Sequence, residues 1–100
     1  MMAWLPAKET YTERQEGKIA AHVESLNALR YARAFELEGE MLEEIILFSE
    51  KVRELGERQF SVLTITRKSI CGTGGLRIEV RAIEGSETHS VGYTCLSAVI

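Results

Sequence analysis

Residues 76–95, LRIEVRAIEGSETHSVGYTC, decide the fold of this chain. The first seven of them alternate apolar and polar side chains, which is typical of a strand with one buried face. Gly85 and Ser86 follow between two glutamates, and a glycine there favours a type II′ turn because it adopts a positive φ without strain. The sequence therefore predicts an antiparallel hairpin with a fixed register. The predicted partners on its apolar face are Leu76 with Cys95, Ile78 with Tyr93, Val80 with Val91 and Ala82 with His89.

Another strand is predicted before this hairpin. Residues 60–66, FSVLTIT, are rich in β-branched side chains, which favour extended structure. Consecutive strands usually pair with one another. We therefore expect a three-stranded antiparallel meander over residues 59–100.

The preceding half of the chain has a helical pattern. Thr10 and Glu13 fit a capping box, in which a threonine hydroxyl and a glutamate satisfy the first amides of a helix. Gly56 stands where a glycine commonly ends a helix. Between these ends, apolar residues recur with the period of an α-helix and form one stripe. Its members are Ile19, Val23, Leu26, Ala34, Leu37, Met41, Ile45, Phe48, Val52 and Leu55.

Gly39 leaves two alternatives for this helical part. A glycine inside a helix costs about 1 kcal/mol relative to alanine, so Gly39 fits a hairpin between two helices. The stripe nevertheless passes through Gly39 in phase, and its neighbours Leu37, Glu38, Glu40 and Met41 are not turn residues. The pattern therefore favours one continuous or kinked helix over a hairpin.

Both alternatives predict the same fold class. We expect an α+β fold in which a long N-terminal helix, or a helical hairpin broken at Gly39, packs on the C-terminal three-stranded meander. One hundred residues suffice for a single domain with its own core. Its expected parts are an irregular arm over residues 1–9, a helical part over 10–57 and the sheet over 59–100.

A continuous helix would be too long for this sheet. Forty-five helical residues extend about 68 Å, whereas a ten-residue strand extends about 33 Å. The second half of the stripe has the 4-3-4-3 spacing of a coiled-coil seam. We therefore predict that a second copy of the chain covers this seam, although the stripe could also pack on the chain's own sheet. The seam consists of Met41, Ile45, Phe48, Val52 and Leu55.

Composition excludes several classes of function. A net charge of −3 argues against a nucleic-acid binder, which needs a basic surface. The chain has no aspartate, and its two cysteines and two histidines are widely spaced, so we expect no metal site and no cofactor. No apolar run approaches the roughly 20 residues of a membrane span. The N-terminus lacks the basic and apolar regions of a signal peptide, so we expect a cytoplasmic protein.

Two charged clusters are candidate binding sites. Arg77 and Arg81, with Arg67 on the preceding strand, are predicted on the polar sheet face, where cations could hold an anionic ligand or an acidic protein surface. Glu36, Glu40 and Glu44 are four residues apart and would form an acidic strip for a basic partner. Ordinary solvated faces carry similar charges, so both assignments are hypotheses.

The function predicted from these features is binding. No histidine or cysteine has a readable catalytic partner, so an enzyme is the less favoured hypothesis. We predict a small protein-binding module, a regulator, inhibitor or adaptor subunit of the kind common in bacteria and phages, that acts as a homodimer and binds an unidentified protein. The alternative is a binder or sensor of a small anionic ligand, with a pocket between helix and sheet.

Overall fold

Two helices pack on one face of a four-stranded antiparallel sheet in the computed structural model, which describes residues 7–70 and 75–95. The strands are β1 (Ala7–Tyr11), β2 (Val62–Ser69), β3 (Leu76–Glu84) and β4 (Glu87–Cys95), in the spatial order β1-β2-β3-β4. The helices are α1 (Arg14–Ala34) and α2 (Gly39–Glu57). The predicted α+β class is confirmed. The sheet has one strand more than predicted, and the helix is split in two.

The β3–β4 hairpin has the predicted register. Ile78 pairs with Tyr93 and Val80 with Val91, and the other two predicted pairs are also present. Gly85 has a φ of +61°, as a primed turn requires. Alternation and turn chemistry therefore determined this hairpin together.

The prediction of a continuous helix is wrong, because α1 ends in a Schellman motif before Gly39. The amide of Leu37 donates to the Ala32 carbonyl and the amide of Glu36 to the Arg33 carbonyl. Glu36 has a φ of +50°, so a glutamate occupies the left-handed position that glycine usually takes. Leu37 packs against the core, which provides the apolar contact of this motif.

The N-terminal boundaries also differ from the prediction. Residues 7–9 belong to β1 rather than to an irregular arm, and Thr10 lies in this strand rather than in a capping box. Glu13 caps α1 instead, since its carboxylate accepts from the amides of Gln15 and Glu16. Gly56 lies inside α2, one residue before the helix ends. Residues 1–6 of the predicted arm lie outside the described residues.

The core fills the space between the helices and the sheet. Tyr93 of β4 contacts the ring of Phe48 edge-on, with 4.5 Å between the ring centroids. Tyr31 of α1 lies 6.1 Å from the Tyr93 ring, so aromatic side chains join both helices to the sheet. Around them lie the inward-facing side chains of the strands, Leu63, Ile65, Leu76, Ile78, Val80 and Ala82.

This core contains most of the predicted dimer seam. Ile45, Phe48, Val52 and Leu55 are buried within one chain, and Met41 alone of the five is exposed. The helical hairpin brings α2 onto β3 and β4, so the stripe of α2 is short enough for the sheet to cover. The reason for placing a second copy at these five residues is therefore removed.

Candidate functional site

Within residues 7–70 and 75–95, most of the large apolar side chains that are exposed lie on the side of the helix pair that faces away from the sheet. The buried side of α1 consists mainly of small residues, among them Ala21, Ser25 and Ala28. Its larger apolar residues point the other way, with Ile19 62% and Leu26 45% exposed. We call this side of the two helices the outer helical face. Its apolar members are Ile19, Val23, Leu26 and Leu29 of α1 and Ile46 and Leu47 of α2.

Small residues explain why the larger ones lie outside. A Cβ added at Gly56 would lie 2.9 Å from the Cβ of Ala21, so the two helices approach too closely there for larger side chains. The hydroxyls of Ser25 and Ser49 form a buried hydrogen bond of 2.7 Å between the helices. Close packing therefore uses the small face of α1 and leaves its apolar stripe exposed.

The two helices differ in the charge of their exposed residues. The exposed charged residues of α1 are four cations and one carboxylate, whereas those of α2 are six carboxylates and two cations. Lys18 of α1 forms an ion pair of 3.4 Å with Glu57 of α2. An open groove of about 840 Å³ lies between the two helices. Its walls are Gln15, Lys18, Ile19 and His22 of α1 and Glu50, Arg53, Glu54 and Glu57 of α2.

The second exposed surface is the side of the sheet opposite the helices, which we call the outer sheet face. Arg77 and Arg81 lie on it as predicted, with Lys8, Lys68 and Glu79. The Arg77 guanidinium donates to the Thr94 hydroxyl at 3.3 Å and lies 3.7 Å from Glu79. Among the residues that the structure describes, this face therefore carries four cations and one carboxylate and is basic. Hydroxyl side chains from β1, β2 and β4 complete it, namely Thr10, Thr64, Thr66, Thr88, Ser90 and Thr94.

The prediction that Arg67 belongs to this basic face is wrong. Arg67 follows Leu63 and Ile65 at two-residue intervals, so its side chain lies on the inner face of β2. It donates to Glu9 at 2.8 Å and is bonded to Glu24 of α1. Lys68 occupies the outer position instead.

Glu24 is the carboxylate that sequence reasoning missed. It is only 3% exposed, and burial raises the pKa of its carboxyl above the usual range although Arg67 opposes this. The hydrogen bond from Arg67 lowers the pKa of Glu9, which is closer to solvent. The sequence contained one sign of this buried carboxylate. Glu24 is a lone glutamate among the small residues of α1, at a position that the predicted apolar stripe did not include.

A groove of about 340 Å³ lies above this cluster, between α1 and the first two strands. Glu9, Glu16, Glu24 and Arg67 supply its charges, and Arg67 is already bonded to two of these carboxylates. An excess of carboxylate repels anions. The groove between helix and sheet is therefore unsuited to the anionic ligand of the alternative hypothesis.

The predicted acidic strip is divided. Glu36 lies in the turn between the helices, whereas Glu40 and Glu44 lie on α2. The carboxylate of Glu44 accepts from the backbone amide of Thr94 at 3.4 Å. These residues therefore contribute to the acidic character of α2 but do not form one continuous row.

Within residues 7–70 and 75–95, no group of three His, Cys, Asp or Glu side chains is arranged to hold a metal ion. Neither helix of this part of the chain has the length and apolar character needed to cross a membrane.

Comparison with known protein families, with curated proteins and with solved structures gives no match to this chain. The proposals below therefore depend on the surfaces alone.

Proposed function

We propose that the protein is a non-enzymatic protein-binding module, a regulator, inhibitor or adaptor subunit, and that it acts as a homodimer through the outer helical face. The observation that carries this proposal is the exposure of six large apolar side chains on one side of two helices. Apolar patches of this kind on a soluble protein commonly mark interaction sites. Full burial of one such side chain is worth about 1.5–3 kcal/mol, and these are roughly half exposed.

The gain from covering this face is therefore several kcal/mol. About 1 kcal/mol for each of the six residues gives about 6 kcal/mol on each copy, and both copies contribute. Association costs about 4–15 kcal/mol in lost freedom. Burial of this face on two copies is thus of the right size to offset that cost, and the outer sheet face stays free for a second protein.

Light scattering coupled to gel filtration tests the homodimer. The wild type is expected to elute as a dimer at about 100 µM, where a micromolar dimer is assembled. Leu26→Glu places a carboxylate in the middle of the outer helical face and should give a monomer. Ser90→Glu adds the same charge on the outer sheet face and should stay dimeric. A monomeric wild type would contradict the proposed homodimer.

A small anionic ligand is the second candidate, and the outer sheet face favours it. Lys8, Lys68, Arg77 and Arg81 outnumber Glu79 there, and guanidinium groups bind oxyanions with paired hydrogen bonds. Inorganic phosphate is the probe, titrated to about 10 mM, the range of weak affinities. Amide shifts in NMR spectra that cluster at Arg77 and Arg81 would support this candidate, and the absence of any shift would reject it.

A further inference from the structure

The charges of the outer helical face indicate how two copies fit together. We propose that α1 of each copy lies on α2 of the other, with the twofold axis parallel to the helices, so that four helices form a central layer between two sheets. This inference rests on the homodimer proposed above. It adds the orientation of the copies and the residues that meet.

Electrostatics selects this orientation over the other face-to-face arrangement. A twofold axis across the helices would place α1 on α1 and α2 on α2, so the helix with mainly cationic exposed charges and the helix with mainly acidic exposed charges would each face their own kind. An axis along the helices places the basic helix of each copy on the acidic helix of the other. Like charges across an interface suppress a pairing, and complementary charges favour it.

Contacts within one chain give the level of each residue along the helix pair. The Lys18–Glu57 ion pair and the Ser25–Ser49 hydrogen bond show which residues of α1 and α2 lie side by side. A twofold axis along the helices keeps every residue at its own height. Each residue of α1 in one copy therefore faces the residues of α2 in the other copy that lie beside it within a single chain. Lys18 of one copy therefore approaches Glu57 of the second copy.

The same levels place Arg30 and Arg33 near Glu43 of the second copy. Arg30 lies five residues beyond Ser25 and Glu43 six residues before Ser49, so the two lie within about one residue of the same height. Arg33 lies between the levels of Glu43 and Glu40. All four side chains are exposed. Cations at one end of α1 thus meet carboxylates at the start of α2.

Apolar residues occupy the middle of the same interface. Leu29 is one turn beyond Ser25 and Ile46 about one turn before Ser49, so they lie at one level. Two helices of this length cover about 30 Å by about 18 Å, roughly 500–600 Å² on each copy. The total reaches the roughly 1,000 Å² expected of a specific interface. Both outer sheet faces then point away from the dimer in opposite directions.

A charge exchange between two variants tests the orientation. One chain carries Arg30→Glu with Arg33→Glu, and the other carries Glu40→Lys with Glu43→Lys. Each variant alone opposes like charges, so its dimer dissociation constant should rise by about 10- to 100-fold. Mixed together they should form a heterodimer, because one half of the interface keeps the original charges and the other half has them reversed. Native mass spectrometry of the mixture detects this species directly.

Lys8→Glu with Lys68→Glu is the matched control, since it reverses two charges on the outer sheet face and should leave the dimer intact. Circular dichroism checks that each variant is folded, as expected for exposed positions. A wild-type dimer whose two variants weaken alone and recover on mixing supports the orientation. A wild-type dimer without recovery on mixing overturns the orientation and leaves the homodimer standing. A monomeric wild type overturns both proposals.

Discussion

Removal of the Arg67 guanidinium is expected to destabilise the fold more than any change at the exposed arginines. Arg67 is bonded to Glu24, which is 3% exposed, and to Glu9 nearer the surface. Arg67→Met keeps the length of the aliphatic side chain and removes only the cation. Glu24 is then left as an interior carboxylate without its cation, although the hydrogen bond from the Asn27 side chain remains.

The expected cost follows from that unpaired charge. Removing one partner of a buried ion pair costs about 3–5 kcal/mol, a large part of the 5–15 kcal/mol by which small proteins are stable. With a urea m-value of about 1.5 kcal/mol per molar, the midpoint of unfolding should fall by about 2–3 M. Replacing both members, as in Glu24→Leu with Arg67→Met, removes the unpaired charge and should recover most of the loss.

The loss should depend on pH with a defined sign. Burial raises the pKa of Glu24 above its usual value of 4.5, so its contribution to stability is present below pH 4.5 and is lost as the pH rises through the folded value. Without Arg67 that folded value rises further. Glu9, whose pKa Arg67 lowers, contributes stability above pH 4.5 that the variant lacks. The deficit of Arg67→Met should therefore be largest near pH 7 and shrink toward pH 4.5.

Urea unfolding followed by circular dichroism measures these values at several pH values. Lys68→Met is the matched control, because Lys68 is the next residue of the same strand and is exposed. It should change the free energy of unfolding by less than about 0.5 kcal/mol. If Arg67→Met cost no more than Lys68→Met, or if its deficit grew on acidification, the inward placement of Arg67 would be refuted.

Three further predictions concern packing and the turn. Ser25→Ala or Ser49→Ala alone should cost about 1–3 kcal/mol because the other hydroxyl loses its buried partner, whereas the double variant should cost less than the sum in a double-mutant cycle. Gly17→Ala should lower the thermal midpoint, because its Cβ would lie 2.5 Å from the Phe60 ring; an unchanged midpoint would show that the ring can move away. Gly85→Ala, at a φ of +61°, should cost about 1–2 kcal/mol in urea unfolding, although nothing lies within 4 Å to clash with the new methyl group. A neutral result there would mean that the turn changes type.

Prediction from sequence succeeded where neighbouring residues control the structure. The register of β3 and β4 follows from alternation and from a two-residue turn with glycine at its first position. Arg77 and Arg81 lie on the outer sheet face for the same reason, since alternate residues of a strand point to opposite sides. Arg67 obeys this rule as well, and its misplacement came from not extending the alternation of Leu63 and Ile65 by one more step.

The end of α1 shows what local signals do not reveal. The helix α1 ends at Ala34, and Glu36 then takes a left-handed conformation that usually requires glycine. Gly39, the first residue of α2, has a left-handed φ of +62° as well. The core contact of Leu37 and the close packing of α1 on α2 support this turn. Those contacts form only when the helices fold back on each other, so propensities along the chain favoured the wrong alternative.

The sequence by itself determined the α+β class, the β3–β4 hairpin and the basic residues that it presents, because these depend on side-chain period and turn chemistry within about twenty residues. Tertiary structure alone decided which side of α1 is buried. It placed Ala7 beside Arg67, sixty residues away along the chain, and brought Glu24 to the same guanidinium. The physical reason is that close helix packing buried the small residues of α1, which left its larger apolar residues on the outer helical face.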